Sequence, residues 1–294
     1  MSAWERIAFG TAHAFAVALL RCFSLRGLYS IGRLFGTLEW VTNFKRRRRY
    51  ARALERVLGR KPSARERRRF THRYFQRQRC DKIFYLVFDR IPRDQAASLL
   101  SIEPKEMIEA ALADGKGVYM ALSHFGAHHV AGMLLAVQGY KVVGVRDRHE
   151  GGLRRYILDR FDRQYPELSR LRVLYADSYP RDIYRCLEEG YLLGSAMDVS
   201  RVRHQNQRVE EVEISGERRQ FVTGPLRVAM RCGATVLQAF VMPEENFRYR
   251  LVIVSRLIEP NPADREAAMR RAMSEYALTA EKYAREHPDL LTRI

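Results

Sequence analysis

GVYMALSHFGAHHVAGMLLAVQGYKVVGV, residues 117–145, is the stretch whose reading decides the fold. Residues 117–122 form an unbroken apolar run that stops at Ser123, the pattern of a strand buried on both faces. Residues 127–137 then carry apolar side chains at helical spacing, and 141–145 return to a short β-branched run. Strand, helix and strand in immediate succession predict a parallel crossover unit with its helix lying on a sheet.

The same alternation continues downstream. Strands are predicted at 171–175 and 192–197, with helices over 153–163 and 181–189 between them. Beyond these come strands at 209–214, 235–241 and 249–254, a helix over 225–232 and a charged closing helix over 263–286. Upstream, residues 25–100 read as helices throughout, with Ile31, Leu34 and Phe35 in one helical pattern and Tyr74, Ile83, Phe84, Val87 and Phe88 in another. Pro62 and Ser63 mark a helix start between them. The expectation is an α/β protein, with a mixed, largely parallel sheet flanked by helices and an N-terminal helical membrane-associating region. Three regions follow: a membrane-contacting helix over 1–24, a basic helical region over 25–114, and an α/β domain over 115–294.

Charge separates the first two regions from the third. The chain carries a net +18, and residues 45–80 alone hold sixteen Lys/Arg against Glu55 and Glu66, a surplus of fourteen. Such a segment attracts nucleic acid, anionic lipid or an acidic carrier protein. The aromatic residues within it, Tyr50, Phe70, Tyr74 and Phe75, fall at spacings that suit a helical core, and no nucleic-acid recognition motif accompanies them. No nucleic-acid partner is therefore expected. Residues 7–23 are largely apolar but contain His13 and Arg21 and fall short of the ~20 residues a spanning helix needs. Glu5 stands where a secretory leader carries positive charge, so residues 1–24 are expected to be retained and to lie on the cytoplasmic side of a membrane, next to the basic segment; the alternative reading is an ordinary core helix of a soluble protein. The four cysteines, Cys22, Cys80, Cys186 and Cys232, show neither a disulfide framework nor zinc-ligand spacing.

Ser123, His124, Phe125, Gly126, Ala127, His128 and His129 follow the decisive strand directly. Ligands of open α/β sheets bind beyond the carboxyl ends of strands, so His124 is placed to face a substrate and, near neutral pH, to take a proton from a hydroxyl. Metal binding is the weaker reading, because His124 with either neighbouring histidine offers two ligands and no third at familiar spacing. A lone histidine is more often structural than catalytic.

The segment from Ala121 to Arg148 resembles the region around the catalytic histidine of the lipid A late acyltransferases, a branch of the lysophospholipid acyltransferase superfamily. Their form is H-F-G-N-W-E before a helix, a strand and an Arg; His124, Phe125, Gly126 and Arg146 match it. Asp198 matches the family's strand-ending Asp, and Thr223, Gly224, Pro225, Ala229, Gly233 and Ala234 match its T-G-P element, with Val228 at a usual Leu. Arg285-Glu286-His287-Pro288 is similar to the family's ending, although Asp289-Leu290-Leu291 replaces Glu-Gln-Trp. The resemblance implies a membrane-associated acyltransferase on the cytoplasmic side of the inner membrane. It would move a fatty acyl chain from acyl carrier protein or acyl-CoA, as co-substrate and without a cofactor, to a hydroxyl or amine of a lipid or glycolipid acceptor. Ser123, Phe125, Gly126, Arg146, Asp198, Thr223, Gly224 and Pro225 are expected around the substrates, with backbone N–H groups near Gly126 and the Arg146 guanidinium as oxyanion donors. Arg146 reads equally as a surface ion-pair residue, and Gly224-Pro225 as a plain helix start.

One departure falls in the site. The family's carboxylate five residues after the base is His129 here. Three readings follow: His129 orients His124 as a neutral acceptor, a carboxylate such as Asp198, Asp147 or Glu150 does so, or the protein is a non-catalytic lipid- or partner-binding protein on the same fold.

Overall fold

A computed structural model describes residues 3–146, 165–175, 180–198, 208–214 and 216–292. The predicted helix over 153–163, Asp147, Glu150 and the side chain of Arg146 lie outside the described residues.

The apolar run does form the central strand. Numbered in chain order, the strands are β1 (Leu100–Glu103), β2 (Val118–Leu122), β3 (Val142–Arg146), β4 (Leu171–Tyr175), β5 (Leu192–Ala196), β6 (Val209–Ile214), β7 (Glu217–Val222), β8 (Thr235–Pro243) and β9 (Tyr249–Ile258). Seven of them make one sheet in the order β1-β9-β8-β2-β5-β3-β4, parallel except between β8 and β9. β6 and β7 pair apart from it as an antiparallel hairpin. β7 has no counterpart in the sequence reading, because its only fully buried side chain is Phe221 and no apolar alternation announces it.

Both faces of β2 are covered, as its composition requires. Val118 and Met120 enter one core with the helix His128–Val137, whereas Tyr119 and Ala121 enter another with the helices Pro180–Glu188, Gly224–Cys232 and Arg265–Glu286. Successive strand residues point to opposite faces, so a strand between two helical layers must be apolar throughout.

The N-terminal third is helical, as expected: Ala3–Cys22, Leu25–Thr42, Phe44–Leu58 and Ala64–Val87. Ser63 and Glu66 start the last of these with a capping box, each side chain bonded to the other's backbone N–H. Tyr50, Phe70, Tyr74 and Phe75 are buried, and the Tyr50 and Tyr74 rings stack with centroids 4.1 Å apart. Two features differ from the sequence reading. β1 joins the main sheet, so the sheet begins before residue 115; this four-residue edge strand is too short for its pattern to stand out. In addition, Leu34 and Phe35 face outward, at 57% and 43% exposure, while Leu25, Leu28, Gly32 and Gly36 form the buried face of their helix.

Candidate active site

The register of two parallel strands assembles the site. Leu122 at the end of β2 pairs with Ala196 at the end of β5, so residues two positions beyond each strand also come together. Those residues are His124 and Asp198. The Asp198 carboxylate accepts from His124 twice: Oδ1 lies 2.7 Å from the ring Nδ1, and Oδ2 takes the His124 backbone N–H at 2.8 Å. A carboxylate only accepts, so Nδ1 carries the proton, and in the neutral ring the lone pair is on Nε2. Both side chains are partly exposed, 23% for His124 and 29% for Asp198, so the pair is in reach of a bound molecule.

The loop carrying His124 is fixed from three directions. Gly126 has φ +62°, and a Cβ there would lie 1.9 Å from the Val241 carbonyl oxygen. Only glycine accepts both the left-handed backbone and this approach. The Gly126 N–H donates to Leu290 O at 2.8 Å, the Ala127 N–H to Val241 O at 3.0 Å, and the Thr292 N–H to His124 O at 3.1 Å. The C-terminal segment thereby forms a short antiparallel bridge between Phe125 and Leu291. Asp289 anchors that segment through Arg77 at 2.9 Å, and the Tyr50 hydroxyl donates to Pro288 O at 2.5 Å. Asp289-Leu290-Leu291, a departure from the family ending in sequence, is thus the piece that clasps the loop.

The other candidate residues have surroundings of their own. His129 does not hold His124: its ring stacks on Tyr85, with centroids 5.2 Å apart and planes 11° apart, while Asp198 occupies Nδ1. The ring beside His124 is His128, edge-on at 5.6 Å. Phe125 is a core residue, buried among Phe240, Tyr283 and Leu290. Ser123 is buried as well, its hydroxyl 2.7 Å from that of Tyr276. The backbone N–H groups of residues 124–127 are all engaged within the fold, that of Phe125 with Ser123 O at 2.7 Å, so none points at an oxyanion. Thr223 is fully buried with its hydroxyl on Arg208 O at 3.3 Å, and Gly224 and Pro225 begin the helix Gly224–Cys232. Among the described residues, no three His, Cys, Asp or Glu side chains are grouped as metal ligands.

Tyr276 was missed by sequence reading. It lies inside the closing helix Arg265–Glu286, where an apolar residue at that spacing is indistinguishable from any other core position.

A comparison with known families matches residues 5–288 to the family described as bacterial lipid A biosynthesis acyltransferase. A comparison with curated individual proteins finds no match.

Proposed function

The chain belongs to the bacterial lipid A biosynthesis acyltransferase family, and from that premise we propose that it transfers a fatty acyl chain from an acyl thioester to a hydroxyl or amine of a lipid or glycolipid acceptor, with His124 as general base and Asp198 as its orienting partner. The observation that carries this reading is the hydrogen bond of 2.7 Å between His124 Nδ1 and Asp198. With Nδ1–H committed to the carboxylate, Nε2 takes the acceptor's proton while the acceptor oxygen or nitrogen forms its bond to the thioester carbonyl carbon. The tetrahedral intermediate then collapses, the C–S bond breaks, and the leaving thiolate recovers the proton from the imidazolium. Asp198 stabilises that imidazolium in the interval.

The donor in this proposal is acyl carrier protein, an acidic partner that suits the basic helices Phe44–Leu58 and Ala64–Val87, with acyl-CoA as the alternative thioester. The acceptor reaches the site from an anionic membrane, taken as the cytoplasmic face of the inner membrane. Support comes from bulky residues left in solvent on the first two helices: Trp4, Ile7 and Phe15 on one, Leu34, Leu38 and Val41 on the other. Among the described residues no helix is long and apolar enough to cross a membrane, so the proposed contact is interfacial.

The test is acyl transfer by His124→Ala to a lipid A precursor, with circular dichroism and vesicle binding measured alongside. Turnover should fall ~10²–10⁴-fold, the usual contribution of a positioned base, with folding and vesicle binding retained. Equal turnover by wild type and variant above the uncatalysed rate would remove His124 from the mechanism. Absence of turnover in both, across carrier-protein and coenzyme A donors, would leave a binding protein in its place.

A further inference from the structure

The hydroxyl of Tyr276 meets the end of β2 at the carbonyl that also receives the segment following β5. It donates to Leu122 O at 2.8 Å, at the end of β2, and lies 2.7 Å from Ser123 Oγ. Its single proton is committed to the Leu122 carbonyl, so in the second bond Ser123 is the donor and the phenol oxygen the acceptor. Leu122 O takes a second donor as well, the Met197 N–H at 2.9 Å, from the segment that leads from β5 to Asp198.

Tyr276 is itself rigidly held. It is fully buried, its backbone carbonyl accepts from Gln238 Nε2 at 3.0 Å, and its ring stands edge-on to Phe221 at 6.2 Å. Burial first, and then the Asp198 carboxylate, push the phenol pKa well above its ordinary value, so the group stays protonated and serves as a hydrogen-bond node rather than as an acid or base.

We propose that Tyr276 is a positioning residue for the reaction, setting through one hydroxyl the separation of Ser123-His124 from Asp198 and hence the orientation of the His124 imidazole. This inference rests on His124 as the base. The Tyr276 hydroxyl keeps the β2 and β5 ends in one register at the point where their side chains must meet. Without it the carboxylate and imidazole still exist, but they drift apart by fractions of an ångström and the Nε2 lone pair loses its fixed aim.

The experiment compares Tyr276→Phe, Ser123→Ala and Tyr165→Phe in the full chain. The last is a control that removes another buried phenol, whose hydroxyl lies between the Phe88 and Ile91 carbonyls, apart from the dyad. Each variant is measured for kcat, for KM of both substrates, for Tm, and for the ¹⁵N spectrum of the His124 ring. Tyr276→Phe should lower kcat about tenfold, the rate equivalent of one lost hydrogen bond, leave both KM values unchanged and raise the Nε2–H tautomer of His124. Ser123→Ala should move the same two readouts in the same direction by less, and it also serves if Tyr276→Phe does not fold. Tyr165→Phe should lower Tm alone. An unchanged His124 ring spectrum in both Tyr276→Phe and Ser123→Ala overturns the proposal, and so does an equal effect of Tyr165→Phe on that spectrum. Because the spectrum needs no turnover, this outcome is distinct from failure of the base, which His124→Ala reads by activity.

Discussion

At the residue scale, one carboxylate does two jobs: its Oδ2 fixes the His124 backbone and its Oδ1 fixes the ring. An asparagine at 198 has one accepting oxygen for two donors, so its amide N–H₂ must oppose either the His124 backbone N–H or Nδ1–H. Asp198→Asn should therefore lower kcat ~10²–10⁴-fold through loss of the tautomer and of the negative charge beside the imidazolium, measured as steady-state acyl transfer. A change under about threefold, within the scatter of substitutions that miss the transition state, would separate Asp198 from catalysis. His129→Glu restores the family carboxylate in sequence but not in effect, because position 129 faces Tyr85. It should not raise turnover, and it should lower Tm as a charge replaces a ring on an aromatic face; increased turnover would show that the introduced carboxylate reaches His124. The sequence placed His124 at a strand end but left three carboxylates open as its partner, because pairing of β2 with β5 is a contact between residues 74 positions apart in the chain.

At the scale of elements, the close crossing of the helices Leu25–Thr42 and Ala64–Val87 shows what periodicity can and cannot read. Apolar spacing correctly announced a helix around Ile31, Leu34 and Phe35, but the buried face is built on Gly32 and Gly36, which a hydrophobic count overlooks. A Cβ at Gly36 would stand 2.4 Å from Gln76 Cα and 2.7 Å from its N, both backbone atoms that cannot turn aside. Gly36→Ala should therefore force the helices apart and destabilise the protein by about 1–3 kcal/mol, overriding the helix propensity alanine gains. Gly144→Ala, in β3, meets nothing within 4 Å and serves as the neutral comparison. Thermal unfolding reads both; equal Tm values would mean that the crossing yields without strain. The central strands were legible because two buried faces demand unbroken apolar runs, whereas β1 and β7 carry one buried position each, and β1 takes its pairing from the distant β9.

At the scale of the whole molecule, the surplus charge and the outward apolar side chains belong to adjoining helices, and the two give binding different salt responses. Several of the cations are already used inside the fold: Arg46 and Arg79 bond Glu39, Arg60 bonds Glu66 and Arg77 bonds Asp289. Those Glu and Asp side chains are too few to cancel the surplus of fourteen over residues 45–80, which remains as a field toward anionic surfaces. That field is screened beyond about 8–10 Å at ordinary ionic strength, whereas the proposed insertion of Leu34, Leu38 and Val41 would not be. These three recur on one side of their helix and are 57%, 53% and 50% exposed, so replacing them by serine removes about half a side chain's worth of potential burial at each while leaving the core untouched. At roughly 25 cal/mol per Å² the triple variant should bind anionic vesicles at least about tenfold more weakly, with an unchanged Tm. Wild type should retain more of its binding than the triple variant as salt rises, because the variant keeps only the part of the unscreened component that comes from Trp4, Ile7 and Phe15 on the first helix. Parallel salt curves for the two proteins would mean that Leu34, Leu38 and Val41 never enter the bilayer.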